Sequence, residues 1–476
     1  MPSTALHQWS AQHTAAQVNA GRISAEQVAR HMVERIERLN PRINAFAFFD
    51  AAMALQAAAQ VDARLAAGEA LPMAGVCFTV KDNLWLHGAP ATFGSLLFEH
   101  FIAPQDSWCV ARLRALGAIP LGVTTCSEFA CMGTTTTRLH GTTHNPWDER
   151  LTPGGSSGGA VAALAAGMGH LALATDAGGS TRRPAAHTGL VGMKPTLGRV
   201  PNAEGFDDPN HLLSVIGQLG RNVRDTAWML DCLTAWEPAD PLSCPAFAQP
   251  DAQERLQQDV RGLRLAWSPR LGLDLAIDAD VLAAMEQAVE ALRQAGWNIE
   301  RADPVWPEGA RDAPLIAIQQ AGLAQRFGND WAAHPERIMP NLGEQIERGA
   351  THSGMRIAEL LKLREHFHAS FTRFHARYDA LLCPTAPVEA WAHELLGPAT
   401  IGGQPAGARD HASFTPLFNY GAVPAVSVPC GFGRNGLPLG LHISAARFQD
   451  ARVLQLAAQA EQIWQLDMRS PLMRDD

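Results

Sequence analysis

Three short segments of the sequence place hydroxyl and amine side chains next to glycines, a combination that suits nucleophilic catalysis. Lys81 ends a short apolar run, Ser156 and Ser157 lie between two pairs of glycines, and Ser180 follows a Gly-Gly pair. A serine nucleophile needs a base, and no histidine is tied to these serines by a local pattern. A partly desolvated lysine can act as that base when its pKa falls toward neutrality. The three segments together therefore favour a serine nucleophile with a lysine base.

Each segment taken alone also has a purely structural explanation. A lysine at a strand end is usually a solvated charge, and a Gly/Ser loop before a helix is usually a turn or an anion site. The glycines weaken these explanations, because they let backbone N–H groups approach another group closely. Such groups can form an oxyanion hole. Its candidate donors are the backbone nitrogens of Ala177, Gly178, Gly179 and Ser180.

The elements around these segments alternate between strand and helix. Residues 75–81 and 118–125 are apolar runs typical of buried strands. Between them, residues 106–116 are predicted to form a helix capped by Asp106. This alternation predicts an α/β fold built on a sheet.

The two ends of this α/β pattern are flanked by segments of different character. Residues 1–70 are predicted to be helical, with a capping box at Ser24 and a helix end at Asn40-Pro41. Residues 300–415 show no clear alternation and are read as a largely helical insertion over the same core.

Composition limits the possible function classes. Hydrophobic residues make up 47% and charged residues 18% of the chain, which excludes a mainly disordered protein. A net charge of −9 without a basic run disfavours nucleic acid and anionic membranes as partners. No apolar run approaches the roughly 18 residues needed to span a bilayer, and no signal peptide is indicated. Eight cysteines without a CxxC pair indicate a reduced, cytoplasmic protein, and the sequence predicts no metal site and no cofactor.

Longer strings around the three segments resemble the amidase signature family. They read PGGSSGG at 153–159, TDAGGSTRRPA at 175–185 and GLVGMKPTLGRV at 189–200, and the resemblance extends over about 22–235 and 378–465. It implies one large α/β/α sandwich with a mixed, mostly central β-sheet. Residues 71–476 would form that domain, residues 1–70 would pack on its core, and the insertion at about 300–415 would lie on the substrate side.

The resemblance also implies roles for individual residues. Ser180 matches the nucleophile, Ser156 the bridging serine on a cis peptide bond, and Lys81 the base of a Ser–cis-Ser–Lys triad. Supporting roles fall on three further residues: Asp176 and Arg182, which would hold the shape of the loop, and Ser157, which would donate a hydrogen bond. The family's acyl pocket corresponds to Phe129, Ala130, Cys131, Met132 and Gly133.

The activity implied by the resemblance is hydrolysis of a carboxylic amide C–N bond through a covalent acyl-enzyme, with esterase side activity. The expected substrate is a small-molecule amide or carbamate, and homodimers are common in such families. Carbamate (urethane) or aryl-acylamide hydrolysis by the same triad stays open. The role of the large side chains in the insertion also stays open, since they could line an apolar pocket or pack in the core. These side chains are Trp306, Phe327, Trp331, Met339 and Met355.

Two other functions are alternatives. The first is the glutaminase component of a glutamyl-tRNA amidotransferase, whose usual SDTGGSIRQP reads TDAGGSTRRP here, and whose Gly-Lys-Thr-Asn block reads Gly122-Val-Thr-Thr125. The loop at 201–211 also differs from that component, which favours a stand-alone hydrolase. The second is a non-catalytic binding protein on the same scaffold. The presence of Lys81, Ser156 and Ser180 argues against it.

Overall fold

The computed structural model describes residues 5–210, 212–245, 251–312 and 314–475. A few residues lie outside the described ranges, namely 1–4, 211, 246–250, 313 and 476. They belong to four segments named in the sequence predictions: 1–70, 201–211, 300–415 and 71–476. The strands are β1 (Phe46–Phe49), β2 (Cys77–Lys81), β3 (Ile119–Thr124), β4 (Thr136–Thr137), β5 (Gly141–Thr142), β6 (Leu171–Asp176), β7 (Val191–Lys194), β8 (Val215–Gly220), β9 (Arg264–Trp267), β10 (Asn298–Arg301), β11 (Ala380–Pro384), β12 (Thr400–Ile401), β13 (Gln404–Pro405), β14 (Ala425–Phe432) and β15 (Pro438–Ser444).

The helices follow the same chain order. They are α1 (Ala11–Asn19), α2 (Ala25–Ile43), α3 (Ala51–Ala66), α4 (Trp108–Ala115), α5 (Gly158–Ala165), α6 (Arg182–Thr188), α7 (Val223–Leu233), α8 (Ala252–Arg255), α9 (Ala279–Gln294), α10 (Ile316–Ala333), α11 (Pro340–Ala350), α12 (Gly354–His375), α13 (Pro416–Tyr420), α14 (Asp450–Trp464) and α15 (Pro471–Arg474).

One mixed sheet of 11 strands organises the described residues, in the order β1-β3-β2-β6-β8-β7-β14-β15-β11-β9-β10. Strand β2 is parallel to both of its neighbours, β3 and β6, whereas β8 runs antiparallel to β6. Helices α5 and α6 pack on this sheet and on each other, and α7, α9 and α14 form a second group against it. The predicted α/β fold with a central mixed sheet is confirmed.

The central strands and α5 are buried throughout. All five residues of β2 and all six of β6 are buried, as expected for strands that are covered on both faces. Helix α5 is made of Gly, Ala, Val and Leu and is buried along its whole length. Its small residues allow close approach: a Cβ at Gly159 would lie 2.4 Å from the carbonyl oxygen of Ala45. The strings that contain Lys81, Ser156 and Ser180 are therefore attached to fully buried elements of the fold.

Two predicted helix boundaries are wrong. Helix α2 has the predicted capping box but continues through Pro41, because a proline in the last turn removes only one donor; Asn44, in the left-handed conformation, ends it. Helix α4 has Ser107 at its N-cap. The Asp106 carboxylate instead accepts hydrogen bonds from the His87 N–H at 2.7 Å and from Arg114 at 2.6 Å.

The flanking segments take part in the central sheet. Strand β1, in the predicted helical segment, pairs antiparallel with β3 and forms one edge of the sheet. Strand β11 lies between β15 and β9, although it falls within the insertion at 300–415 that was predicted to be largely helical. The remainder of that insertion is largely helical through α10, α11 and α12, as predicted.

Candidate active site

Lys81, the last residue of β2, is buried and bonded to a serine. Its side chain is 0% exposed, and its Nζ donates to Ser156 Oγ at 2.7 Å and to Thr175 Oγ1 at 2.9 Å. Burial lowers the pKa of Lys81 to about 8, although nearby acidic groups, including Asp176, oppose this shift. The predicted base and the predicted bridging serine are thus in direct contact.

Polar residues that follow Lys81 fix the strand end. The Asp82 carboxylate accepts the backbone N–H groups of Thr92 at 2.7 Å and Gly94 at 2.9 Å, which ties the loop after β2 back to its start. Asn83 Nδ2 donates to Thr175 Oγ1 at 2.9 Å. Thr175 therefore accepts from both Asn83 and Lys81, and it positions the ammonium group from the neighbouring strand β6.

Ser156 lies in a loop packed tightly against residues 132–135. The peptide bond between Gly155 and Ser156 is cis, as the resemblance implied. A Cβ at Gly155 would lie 2.7 Å from the carbonyl oxygen of Met132, so only glycine allows this approach. Thr135 Oγ1 closes the loop, since it donates to the Gly154 carbonyl oxygen at 2.9 Å and accepts the Gly158 N–H at 3.1 Å.

Ser157 does not have the supporting contact that was predicted for it. Its hydroxyl is buried and has no hydrogen-bond partner among the described residues. The side chain follows Ser156 directly at the N-terminus of α5, where small buried neighbours surround it. Ser157 is therefore a packing residue in this structure.

Ser180 stands in a loop that a buried ion pair holds in place. Asp176 and Arg182 are both 0% exposed and lie 2.8 Å apart. Burial alone would raise the pKa of Asp176, but the charge and hydrogen bonds of Arg182 hold it well below its usual range. Asn419 binds both partners, accepting from Arg182 at 2.6 Å and donating to Asp176 at 3.0 Å. Asp176 and Arg182 thus make the loop contacts predicted for them.

The same ion pair changes the set of candidate oxyanion donors. The Gly179 N–H donates to Asp176 Oδ1 at 2.7 Å and so is occupied, contrary to its expected role. Ala177, Gly178 and Ser180 line a cavity instead. Their backbone N–H groups make no hydrogen bond with any part of the chain that the structure describes. The available donors are therefore those of Ala177, Gly178 and Ser180.

That cavity has a volume of about 500 Å³ and opens beside Ser180. Four of the five residues predicted for the acyl pocket line it: Ala130, Cys131, Met132 and Gly133. Phe129 does not, because its ring points into an apolar cluster, where it stacks on Phe327 with ring centroids 3.9 Å apart. Phe129 is thus the only one of the five predicted residues that does not line the cavity.

The large side chains of the insertion do not form this cavity. Trp306 packs against Phe371, with ring centroids 5.0 Å apart, and Trp331 Nε1 donates to Glu347 at 2.9 Å. Met355 is 74% exposed. These side chains serve packing and surface roles, in agreement with the simpler explanation.

No metal or membrane feature accompanies the site. Within the described ranges, no group of three or more His, Cys, Asp or Glu side chains is arranged to hold a metal ion. No helix in those ranges is long and apolar enough to cross a bilayer.

Comparison with known proteins identifies the family of the chain. A family model described as Amidase matches residues 27–454. The chain belongs to the amidase signature family. It is 35% identical over 463 residues to an acylamidase from Rhodococcus erythropolis, covering 96% of this chain and 96% of the relative. It is 33% identical over 477 residues to the A subunit of the glutamyl-tRNA(Gln) amidotransferase from Moorella thermoacetica, covering 95% and 96%.

A solved structure gives the same result. The crystal structure of a bacterial aryl acylamidase of the amidase signature family superposes with a TM-score of 0.91 at 26% identity, covering 99% of this chain and 100% of that one. This amidase signature protein is therefore a hydrolase that acts on amide C–N bonds, as predicted.

Sequence reasoning missed Thr175, the partner of Lys81, and much of the wall of the amidase cavity. Thr175 could have been found, because a threonine directly before the signature aspartate is a polar residue on an otherwise apolar strand. The other missed residues come from separate helices, strands and loops, and all of them except Arg183 lie outside the quoted strings. They include Arg183, Asn210, Leu213, Leu275, Arg311, Asp312, Leu315, Ile316, Gln319, Ile401, Arg409, His411 and Tyr420.

Proposed function

We propose that the chain is a stand-alone amidase that cleaves carboxylic amides through a Ser180–Ser156–Lys81 triad and a covalent acyl-enzyme. The observation that carries this proposal is the 2.7 Å hydrogen bond between buried Lys81 Nζ and Ser156 Oγ, close to a cavity that Ser180 lines. A buried amine beside a serine hydroxyl has no evident structural purpose, since burying a charge is costly. It suits proton transfer well.

Lys81 can accept a proton at neutral pH. With a pKa of about 8, roughly a tenth of the lysine is unprotonated at pH 7. In the proposed first step, Ser180 Oγ attacks the substrate carbonyl carbon. Its proton passes to Ser156, and the proton of Ser156 passes to the neutral amine of Lys81.

The proton returns when the C–N bond breaks. The tetrahedral intermediate collapses, the amine leaves with the proton that comes back through Ser156, and the acyl group stays on Ser180. Water then attacks the acyl-enzyme by the same route and releases the acid. The backbone N–H groups of Ala177, Gly178 and Ser180 would stabilise the oxyanion of both intermediates.

In the proposed mechanism, a hydrogen bond between Ser180 and Ser156 forms when substrate binds. The Ser180 hydroxyl makes no hydrogen bond with any described residue, whereas Ser156 is already bonded to Lys81. Catalytic hydrogen bonds that are open without substrate often close in the Michaelis complex. A rotation of the Ser180 side chain about its Cα–Cβ bond supplies the required movement.

Esters and carbamates are expected as further substrates. An oxygen leaving group needs less protonation than an amine, so aryl esters should react by the same steps. Aryl carbamates present a carbonyl of similar shape. Glutamine is the substrate expected if the chain instead works as the glutaminase component of an amidotransferase, to which it is also similar.

The proposal is tested with the purified chain on a p-nitroanilide, a primary aryl amide, an aryl carbamate, a p-nitrophenyl ester and glutamine. Turnover of the amides without a partner is the expected result. Activity on glutamine alone, or only after partner proteins are added, would favour the amidotransferase function.

Two neighbouring serines provide a matched pair for the triad. Ser156→Ala should lower kcat at least about a thousandfold, because it interrupts the proton relay. Ser157→Ala should stay within about threefold of wild type, since that hydroxyl makes no hydrogen bond in the described part of the chain. Ser180→Ala should fold normally and form no acyl-enzyme detectable by mass spectrometry. Turnover retained in Ser180→Ala would exclude Ser180 as the nucleophile.

A further inference from the structure

Arg183 is a buried guanidinium on the wall of the cavity, three residues after Ser180. Only 6% of its surface is exposed. Its Nη1 donates to the carbonyl oxygen of Gly178 and, at 2.9 Å, to Thr415 Oγ1. Its Nε is buried without a hydrogen-bond partner among the described residues. Arg183 is therefore a largely desolvated cation on the cavity wall, and one of its donors is unpaired in the described part of the chain.

The charge of Arg183 also lacks a counter-ion. No acidic side chain of the described chain forms an ion pair with it, and Asp176, whose charge acts on it, is already bound by two nitrogens of Arg182. Burial lowers the pKa of Arg183 to about 10, which shows how poorly the site compensates this cation. A buried charge is normally paired, so the missing anion is expected to come with the substrate.

The titratable neighbours of Arg183 cannot supply that anion. His187 and His411 are buried, and burial together with the Arg183 charge lowers the pKa of His187 to about 3 and that of His411 well below its usual range. Both rings are thus neutral at neutral pH. The two carboxylates that line the cavity, those of Asp312 and Asp410, belong to exposed residues, and neither forms an ion pair with Arg183 among the described residues.

We infer that Arg183 is a specificity residue, and that its guanidinium binds a carboxylate on the acyl chain of the substrate. This inference rests on the proposed function, because the acyl chain is the part of the substrate that stays bonded to Ser180. Arg183 donates a hydrogen bond to the Gly178 carbonyl oxygen, so its guanidinium lies beside the proposed oxyanion donors. In the proposed reaction these donors bind the oxygen of the scissile carbonyl. A charge-assisted hydrogen bond in a dry site is strong and selective.

Two other arginines on the cavity wall are weaker candidates. Arg409 already donates to the Cys131 carbonyl oxygen at 3.0 Å and to Gln345 at 2.7 Å. Arg311 is an exposed residue, so water can solvate its charge without a ligand. Burial lowers the pKa of Arg409, but its guanidinium already has these two acceptors. Only Arg183 combines burial, an unused donor and contact with the oxyanion loop among these three.

The test compares two anilides of similar shape. Succinyl 4-nitroanilide carries a carboxylate on its acyl chain, and 4-methylpentanoyl 4-nitroanilide replaces that carboxylate with an isopropyl group. Wild type should show the higher kcat/KM for the succinyl probe. Arg183→Gln should lower the succinyl/4-methylpentanoyl ratio of kcat/KM at least about tenfold, since it keeps hydrogen-bond donors and removes the charge. Arg183→Lys should retain part of the preference.

Arg221→Gln is the matched control. Arg221 is also desolvated and donates to backbone carbonyl oxygens, those of Gly169 and Trp9, but lies outside the cavity. Its substitution should leave the ratio within about threefold of wild type.

Two results would overturn the inference. Equal losses on both probes in Arg183→Gln would mean that Arg183 only holds the Gly178 carbonyl in place. A wild-type preference for the neutral probe would exclude carboxylate binding outright, and that measurement decides the question even if both Arg183 variants fail to fold. Turnover of the neutral probe that is lost in Ser180→Ala would still support the proposed amidase, so the two failures are distinguishable.

Discussion

Lys81 Nζ donates a 2.7 Å hydrogen bond to Ser156 Oγ, and neither side chain is exposed to solvent. The lysine can take a proton from Ser156 only when it is neutral. Its lowered pKa, about 8, therefore sets the pH range expected for the proposed triad.

We expect kcat/KM for a neutral anilide to rise with pH and to level off above about 8, as Lys81 loses its proton. Lys81→Arg should be inactive at every pH, because a guanidinium does not deprotonate in this range. A pH–rate profile of both proteins between pH 6 and 10 checks this. A profile of wild type that is flat from pH 6 to 9, with chemistry shown to limit the rate, would contradict a lysine base.

The two glycines before Ser180 should respond differently to a methyl group. A Cβ at Gly179 would lie 2.0 Å from Thr415 Oγ1 and 2.5 Å from Arg183 Nη1, at a φ of +114°, whereas a Cβ at Gly178 meets only Pro416 at 3.9 Å. Gly179→Ala should lower the free energy of unfolding by about 2–4 kcal/mol. Gly178→Ala should change it by less than about 1 kcal/mol. Urea unfolding of both variants measures these changes. Equal losses of unfolding free energy in the two variants would refute the close packing around Gly179.

Removal of the charge at Asp176 should destabilise the fold. Asp176→Asn leaves the Arg182 charge buried without a counter-ion, at a cost of about 3–5 kcal/mol. Asp450→Asn is the control: this aspartate is equally buried but accepts only from Thr196, at 2.7 Å from both its N–H and its hydroxyl, so its loss should cost about 1–2 kcal/mol.

The lowered pKa of Asp176 determines how the difference in unfolding free energy between wild type and Asp176→Asn depends on pH. The ion pair stabilises the fold fully above the unfolded-state pKa of about 4, and the stabilisation declines as pH falls from there toward the folded-state pKa. The gap between wild type and Asp176→Asn should thus narrow below about pH 4. Unfolding curves at pH 3 and 7 measure it, and a gap of constant size would exclude an ionised Asp176.

Glu128 is a buried acid that connects the cavity wall to the insertion. Its carboxyl group accepts from Ser95 Oγ at 2.6 Å and from the Met339 N–H at 2.8 Å, and burial raises its pKa to about 7. The folded state therefore keeps a proton that the unfolded state releases between about pH 4.5 and 7, so this residue lowers stability as pH rises across that window.

Glu128→Gln should remove this loss, because glutamine offers an acceptor and a donor to the same partners without a charge. We expect a gain of about 1–3 kcal/mol in unfolding free energy at pH 8 and little change at pH 5. Glu344→Gln, on the exposed side of α11, should change stability at neither pH. A Glu128→Gln variant that is no more stable than wild type at pH 8 would argue against a strained carboxylate.

The sequence allowed prediction of the triad contact because its residues lie in contiguous, glycine-rich strings. Lys81 ends an apolar run, and the strings around Ser156 and Ser180 leave few conformations to the backbone. Strand β1 could not be foreseen, since four residues show no periodicity and its pairing partner lies more than seventy residues away. The role of Phe129 was misjudged for a similar reason: its left-handed backbone, with φ 50°, turns the ring toward Phe327 in a distant helix.

The walls of the cavity show the limit of local reasoning most clearly. Leu275, Gln319 and Ile401 reach the same space from three separate segments, and none of them carries a motif. Their meeting depends on how α10 packs on α11 and α12 and on where the loops around it lie, which is a long-range property. Arg183 could have been noted from the sequence, because it differs from the glutamine of the amidotransferase string at the same position.

The pairing of β2 with β6 has a consequence for folding. Lys81 and Thr175 are 94 residues apart in sequence, and they meet only because their strands are neighbours in the sheet. Closing so long a loop carries an entropic cost before any contact compensates it. The proposed proton relay is thus absent from any partly folded chain in which these strands have not yet paired. The return of hydrolytic activity during refolding therefore measures when the centre of the sheet assembles.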